Sequence, residues 1–419
     1  MIRVGILGAG TVGSGLIQII KENNSRIEIA GVVDKRVKEL SGLLGDISTS
    51  ENAETLLNDD SIDVIVELIG GVSHSYEFVK KALEKGKSVV TANKHLLAKH
   101  GLELFKLAKE KGAHIGYEAA VAGAIPVIRN LNSFFNKDKI SFLEGILNGT
   151  SNYLLTKIRR EEIPYETALT QAQEMGLAEA DPALDVNGGD ACHKLALLFY
   201  VITGDWVDYE KIYTIGIQDI KLTDILWAKS KNYKIKLIAT FLEEDGKYYL
   251  SVEPTLINSK HHLFDIEMEN NAILFHGKYS DTHMFMGKGA GSLPTAHSVY
   301  ADILHFGKKH KDKAKPCQCE IRPVEAANLE ERRSEFYIRL LLLDKPGVLS
   351  KISSVIGGNN ISIASVQQNM KDDVEKNGDV EVMLITHDCL RGDLNKTIAE
   401  LEKMTDLVKE KPVIMPLGI

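Results

Sequence analysis

Apolar residues in the first third of the chain cluster in short strand-length stretches, separated by amphipathic ones. Ile2 to Leu7, Ile27 to Val33, Ile62 to Gly70, Ser88 to Lys94 and His114 to Tyr117 are such stretches. Apolar-rich stretches of this length without alternation mark strands covered on both faces, as in a parallel sheet. Helical periodicity lies between them, near Ala53–Asn58, Tyr76–Lys85 and Leu96–Lys111. Strands alternating with helices predict a doubly wound α/β domain over residues 1–131, completed by about 290–320. From about Asn132 the pattern changes. Ser141 to Leu147 reads as a strand. Gly176 to Tyr200 starts as a loop with Pro182 and the Gly188-Gly189 pair, then turns helical at Asp190, with Ala191, Leu195, Leu198 and Phe199 on one broad face. Alternation in Tyr233–Glu243, KYYLSVEPTLI and AILFHGKYSDTHMFMGKGAG predicts an antiparallel or mixed sheet, followed by a helix starting near Pro294. Residues 132–306 are thus expected to be α+β. Gly307 to Pro323 is polar and contains proline, so 307–334 reads as a linker. Over 335–419 the order strand, helix, strand, strand (Asp379–Thr386), helix (Leu394–Lys403) and a short strand within Leu407–Met415 predicts a ferredoxin-like βαββαβ domain.

Composition narrows the class. A chain of 419 residues that is 44% hydrophobic fits two or three soluble domains. A net charge of −8 argues against a nucleic-acid partner. No apolar run nears the roughly 20 residues needed to span a bilayer. Met1-Ile2-Arg3 leads straight into a strand, so no signal peptide is expected and the chain reads as cytoplasmic. The four cysteines form neither a disulfide framework nor a zinc pattern. Cys317 and Cys319 read as loop thiols, with a redox pair as the alternative.

Candidate chemistry sits at the strand ends. Gly8, Gly10 and Gly13 form G-x-G-x-x-G between the first strand and a helix, the context a dinucleotide requires. The helix start, at Thr11 and Val12, would face the pyrophosphate. Asp34 ends the second strand, where an acid takes the ribose 2′-hydroxyl of NAD, but Lys35 and Arg36 follow and suit the 2′-phosphate of NADP. The cofactor is left open between the two. Ligands of such sheets bind beyond the carboxyl ends of strands, which places Thr91 and Lys94 near cofactor or substrate. The small-residue loop from Glu118 to Gly123 offers backbone carbonyls to a cofactor edge or a cation. Gly289 and Gly291 precede another helix and fit a segment returning to the nucleotide domain. Glu179, Asp181, Asp185 and Asp190 lead up to Lys194. Asp190 and Lys194 are four apart and share a helix face. They read either as a surface ion pair or as a polar site for an amino-acid substrate with a proton-transferring lysine.

These motifs in this order resemble the homoserine dehydrogenase family across essentially the whole chain. GAGTVG, ELIGG (Glu67–Gly71) and TANK (Thr91–Lys94) are similar to its nucleotide-domain motifs. YEAAVAGAIP is similar to its cation segment, and NGTSNY (Asn148–Tyr153) with GLAEADPALDVNGGDACHKLA to its substrate-domain signature. DKPGVLSKI (Asp344–Ile352) resembles the ligand loop of an ACT domain. The resemblance implies a Rossmann domain, a substrate and dimerisation domain and an ACT regulatory domain. It implies reversible NAD- or NADP-dependent reduction of L-aspartate 4-semialdehyde to L-homoserine. On this resemblance Lys194 is the proton donor and Asp190 orients it or accepts from substrate. Glu179 binds the substrate ammonium, Asp185 supports it, and Lys94 contacts cofactor or substrate. Glu118, Val121, Gly123 and Ile125 hold a sodium or potassium ion, mostly through backbone carbonyls. An amino-acid effector, threonine in the family's usual case, is expected near Gly347, Val348 and Leu349 and a partner's Asn359, Asn360 and Ile361. A homodimer or homotetramer is implied.

Two rival readings remain at this point. One is another semialdehyde or amino-acid dehydrogenase on the same nucleotide fold; a catalytic cysteine would favour acylating chemistry, but Cys192, the only cysteine near the candidate site, is expected to point elsewhere around the helix from Asp190 and Lys194. The other is a non-enzymatic amino-acid sensor, against which Glu179, Asp190 and Lys194 speak together. With no kinase-like segment ahead of Met1, a bifunctional aspartokinase fusion is not expected.

Overall fold

The computed structural model describes residues 1–23, 26–178, 181–309, 320–369 and 378–418. The chain forms two compact units, one of residues 1–149, 190–212 and 269–325, the other of 150–189, 213–268 and 326–419.

The first unit carries a six-stranded parallel sheet. Its spatial order is Thr49–Ser50, Ile27–Val33, Ile2–Leu7, Val64–Glu67, Ser88–Thr91 and Ile115–Gly116. This is the 3-2-1-4-5-6 order of a dinucleotide fold. Val4, Ile6, Val32, Val64, Val66 and Val90 are fully buried, which is why these strands show no alternation in sequence. Helices Thr11–Glu22 and Ser292–Lys309 complete one core, with Leu16, Ile17, Ala296, Val299 and Ile303 packed together. The helix after the late glycines begins at Ser292, so Pro294 lies in its first turn, and it runs through Lys309. The first residues of the expected linker are therefore helical; Cys317 and Cys319 lie outside the described residues. The same unit holds antiparallel strands Ile140–Ile146, Asn270–Gly277 and Asp281–Lys288, and helix Gly189–Thr203. That helix is buried on every side from Asp190 to Phe199, not on the single broad face expected. Its charged residues are thus interior groups.

In the second unit, Tyr233–Glu244 and Lys247–Asn258 form a long antiparallel hairpin. A four-stranded antiparallel sheet, ordered Ile363–Asn369, Asp379–Thr386, Phe336–Leu343 and Val413–Pro416, is covered by helices Val348–Gly358 and Arg391–Glu402. This is the expected βαββαβ arrangement. Two buried ion pairs tie this sheet to the rest of its unit. Arg391 makes a bidentate pair with Glu253 (3.0 and 2.8 Å), and Arg339 bonds Asp224 (2.8 Å), which also accepts from the Tyr337 hydroxyl (2.7 Å).

Candidate active site

The glycine-rich turn is built by close approach. Gly8 has φ +96°, and a Cβ there would lie 2.6 Å from the Leu68 carbonyl oxygen; a Cβ on Gly13 would lie 2.2 Å from the Gly8 carbonyl oxygen. Gly10, by contrast, faces open space, with only the Arg36 guanidinium within 4 Å of such a Cβ. No side chain caps the helix that starts at Thr11, and Thr11 is exposed and Val12 half-buried. The first N–H groups are thus free to meet an anion, and this turn fits a dinucleotide pyrophosphate. Gly291 (φ +119°) opens the second helix of this core, whose Ser292 hydroxyl donates to the Thr11 carbonyl (2.7 Å). Gly289 is pressed against Asn271, where a Cβ would come within 2.2 Å of the amide carbon.

Asp34 is turned inward. Its carboxylate accepts the Ala9 N–H and the Arg36 N–H, both at 2.8 Å, and lies 3.4 Å from the Arg36 guanidinium. Burial raises its pKa, but these backbone bonds and Arg36 outweigh that and leave it lowered. Lys35 and Arg36 are exposed.

Glu67, which the sequence reading passed over as a site residue, organises the next two strand ends. One carboxylate oxygen accepts from Ile69 N–H (3.0 Å), Gly70 N–H (3.2 Å) and Ser75 hydroxyl (2.8 Å); the other accepts from Thr91 hydroxyl (2.6 Å). The signal was an acid at the end of a fully apolar run, in DVIVELIGG. Thr91 in turn accepts the Asn93 N–H (2.9 Å), and Asn93 caps the helix that begins at Lys94 through Leu96 N–H (3.0 Å).

That cap aims Lys94 at Asp190. Lys94 Nζ is 2.9 Å from Asp190 Oδ1, and Lys194 Nζ is 2.7 Å from Asp190 Oδ2. The Asn148 amide donates to the same Oδ2 at 2.9 Å. Lys194 also donates to the Leu147 carbonyl (2.6 Å), which accepts the Asn271 amide at 2.8 Å. Asp190 is 4% exposed and Lys194 7%. Burial pushes the Asp190 carboxyl up, but Lys194 and Lys94 outweigh it and hold it well below the usual carboxylate range. The cluster is therefore a buried carboxylate between two lysines, with one ammonium fixed by a second acceptor. Such a group can deliver a proton to an alkoxide. Asn148 and Asn271 were not foreseen. Asn148 opens NGTSNY directly after a strand; Asn271 carries no sequence signal of its own.

Glu179 lies outside the described residues. Asp185 belongs to the second unit, in the short helix Ala183–Val186, where its carbonyl accepts from Ser151 hydroxyl (2.5 Å). Cys192 is buried and its thiol donates to the Tyr209 carbonyl (3.3 Å), a poor arrangement for a nucleophile.

In the cation segment the Glu118 carboxylate accepts Ile128 and Arg129 N–H groups (both 2.8 Å), capping helix Val127–Ser133. Burial and the nearby Asp302 push it up to about 7. Ala122 and Gly123 are both left-handed (φ 57° and 55°), which reverses the chain between Val121 and Ile125; both flanking residues are buried. The Gly123 carbonyl accepts from Ser298 hydroxyl (2.8 Å). A backbone-carbonyl cation site fits this turn and its surplus of buried negative charge. Among the described residues no group of three or more His, Cys, Asp or Glu is placed to hold a metal ion.

In the second unit Gly347 (φ 86°) precedes helix Val348–Gly358 with no side-chain cap, and Leu349 is exposed. Asn360 (φ 60°) turns the chain at the helix end. Val348 and Ile361 are core residues, and Asn359 is bonded to the Val355 carbonyl (3.1 Å) and Glu400 (3.0 Å). Gly347, Leu349 and Asn360 are thus the accessible members of that set.

Comparison with known proteins agrees with this layout. The family model described as homoserine dehydrogenase, NAD binding domain, matches residues 8–118, that described as homoserine dehydrogenase matches 126–304, and an ACT domain model matches 336–406. The homoserine dehydrogenase of Pseudomonas aeruginosa is 34% identical, with 96% of each chain covered. That of Bacillus subtilis is 35% identical, covering 98% of this chain and 96% of the relative. A crystal structure of a homoserine dehydrogenase from Thiobacillus denitrificans superposes with a TM-score of 0.90 at 34% identity, covering 100% of this chain and 98% of that one. A hyperthermophilic archaeal homoserine dehydrogenase solved in complex with NADPH superposes with a TM-score of 0.63 at 28% identity, covering 74% of this chain and 98% of that one. Among the described residues no helix is long and apolar enough to cross a membrane. Fold order, the lysine–aspartate cluster and near full-length similarity converge, and the chain belongs to the homoserine dehydrogenase family.

Proposed function

We propose that this chain catalyses reversible reduction of L-aspartate 4-semialdehyde to L-homoserine with a nicotinamide cofactor, as a cytoplasmic oligomer. The observation that carries the reading is the buried Asp190 carboxylate held between Lys94 and the buried Lys194. Bound nicotinamide supplies the hydride to the aldehyde carbon. Lys194 then gives a proton to the alkoxide oxygen, directly or through water, and takes it back in the reverse direction. Asp190, ionised throughout the working pH range, keeps that lysine protonated and oriented, with Asn148 and the Leu147 carbonyl fixing the geometry. Lys94 binds cofactor or substrate, and Glu179 and Asp185 receive the substrate ammonium. The glycine turn, Thr91, Gly289 and Gly291 serve the cofactor. A sodium or potassium ion held by the carbonyls of Glu118, Val121, Gly123 and Ile125 would brace the segment between cofactor and substrate.

The cofactor preferred is NADP(H). Asp34 has both carboxylate oxygens engaged by backbone N–H groups, which weakens it as the acceptor for a ribose hydroxyl. Arg36 is the charged group beside the open face of Gly10, where it suits a 2′-phosphate. An amino acid, with threonine the first candidate, binds at Gly347–Leu349 and Asn360 and lowers turnover.

The test is oxidation of NADPH and NADH followed at 340 nm with L-aspartate 4-semialdehyde, with and without L-threonine. Lys194→Ala is expected to lower kcat by about 10²–10⁴-fold, the range for losing a general acid. Unchanged turnover in that variant removes the lysine mechanism.

A further inference from the structure

Each of the two lysines that meet on Asp190 has a histidine as its chain neighbour: His95 follows Lys94, and His193 precedes Lys194. The two imidazoles lie face to face, with centroids 4.8 Å apart and planes within 10°. The Tyr209 ring meets His193 edge-on at 4.7 Å. His193 is 4% exposed, and its Nδ1 has no hydrogen-bond partner among the described residues. Lys94 and His95 are the first two residues of their helix, whereas His193 and Lys194 sit in the opening turns of another. The ring stack is thus a contact between two helix starts that also meet through Asp190.

We propose that His95 and His193 are positioning residues, a neutral stacked pair that sets the spacing of these two helix starts and so keeps both Lys94 and Lys194 on Asp190. The inference rests on the reading of Asp190 and Lys194 as the catalytic pair. Stacked rings attract when neutral and repel when both are charged. The surroundings favour the neutral form. Burial, then His95, Lys94 and Lys194, push the His193 imidazole down to about 4, with Asp190 the one opposing group. Burial, then Lys99, Lys94 and His100, lower His95. Protonation at acid pH would put cations face to face beside two ammonium groups, and the helix starts would part. A lone aspartate could hold either lysine; holding both requires the helices at a fixed separation, and the ring pair provides it.

The test uses the full-length enzyme and four variants: His193→Ala, His193→Phe, His95→Phe/His193→Phe, and Lys194→Ala as reference. Expected are a loss in kcat of fivefold or more for His193→Ala, with recovery of most of it in His193→Phe, which keeps a ring to stack. The acid limb of kcat/KM should move to lower pH by half a unit or more in the double phenylalanine variant, which cannot acquire the repelling charges. A purely structural role would cost thermal stability but leave the acid limb where it is. A loss below fivefold in His193→Ala, no recovery with phenylalanine, or an unmoved acid limb would each overturn the proposal. Full turnover in Lys194→Ala would instead overturn the underlying assignment of the lysine, whatever the histidine variants do.

Discussion

Replacing Asp190 with asparagine isolates the charge on which the site depends. The amide keeps the shape and leaves two ammonium groups facing one another without their shared counter-ion. A carboxylate charge about 4 Å from an ammonium attracts it by roughly 4 kcal/mol at an effective dielectric of 20, and the amide forfeits that attraction. That corresponds to about 3 pKa units. The Lys94 side chain is 38% exposed, so solvent screens part of this, and a fall of about 1 unit in the Lys194 pKa is the working figure. Removing one partner of a buried pair also costs about 3–5 kcal/mol of stability. The sign follows from the carboxyl being held below its unfolded value of 3.8. Its contribution is complete above that pH and is lost only as pH falls through the folded value. At pH 7 the wild type therefore has all of it and the variant none. Two assays read the effect. Urea unfolding at pH 7 gives the stability loss, and the pH profile of kcat for aldehyde reduction gives the lysine, whose protonated form is the active one in that direction. The basic limb should move toward lower pH by about 1 unit, so that activity recovers partly on acidification. A basic limb in the wild-type position, together with a stability loss under about 1 kcal/mol, would refute the account of Asp190 as the buried counter-ion of both lysines.

Arg36→Ala should lower the kcat/KM ratio of NADPH to NADH by tenfold or more and weaken 2′,5′-ADP binding in calorimetry while leaving ADP binding nearly unchanged. Equal losses for both nucleotides would count against a 2′-phosphate contact. Arg391→Met strands the Glu253 carboxylate, which is 6% exposed, and should cost about 3–5 kcal/mol in urea unfolding, with the ACT domain losing its anchorage first. Lys236 is buried, donates to Asn152 (2.9 Å) and the Ile266 carbonyl (2.5 Å), and is pushed down to about 7 by that burial. Its folded pKa lies below the unfolded value, so the stability of wild type relative to Lys236→Met should rise between pH 7 and 10 by up to about 1.4 kcal/mol per unit; a difference independent of pH would show that the ammonium is not buried in this way.

Much of this protein was legible in its sequence because the relevant forces act over a few residues. Short apolar-rich stretches without alternation identify strands covered on both faces, and Gly8, Gly10 and Gly13 follow one of them at the spacing a tight turn demands. Asp190 and Lys194 are one helical turn apart, so their pairing is local. The βαββαβ order of the last domain follows from period changes that any window of a dozen residues reveals. What tertiary structure alone decided are the meetings of distant segments. Lys94 reaches Asp190 from a separate helix, and Asn148 and Asn271 converge on the same few atoms from two further strand ends. Asp34 is held by the Ala9 N–H of the glycine turn, a partner 25 residues away along the chain. His95 and His193 stack only because two helix starts are packed together. Local propensity sets backbone shape one element at a time, but which side chains then share a buried volume depends on how the elements fill space, and no short stretch of chain carries that information.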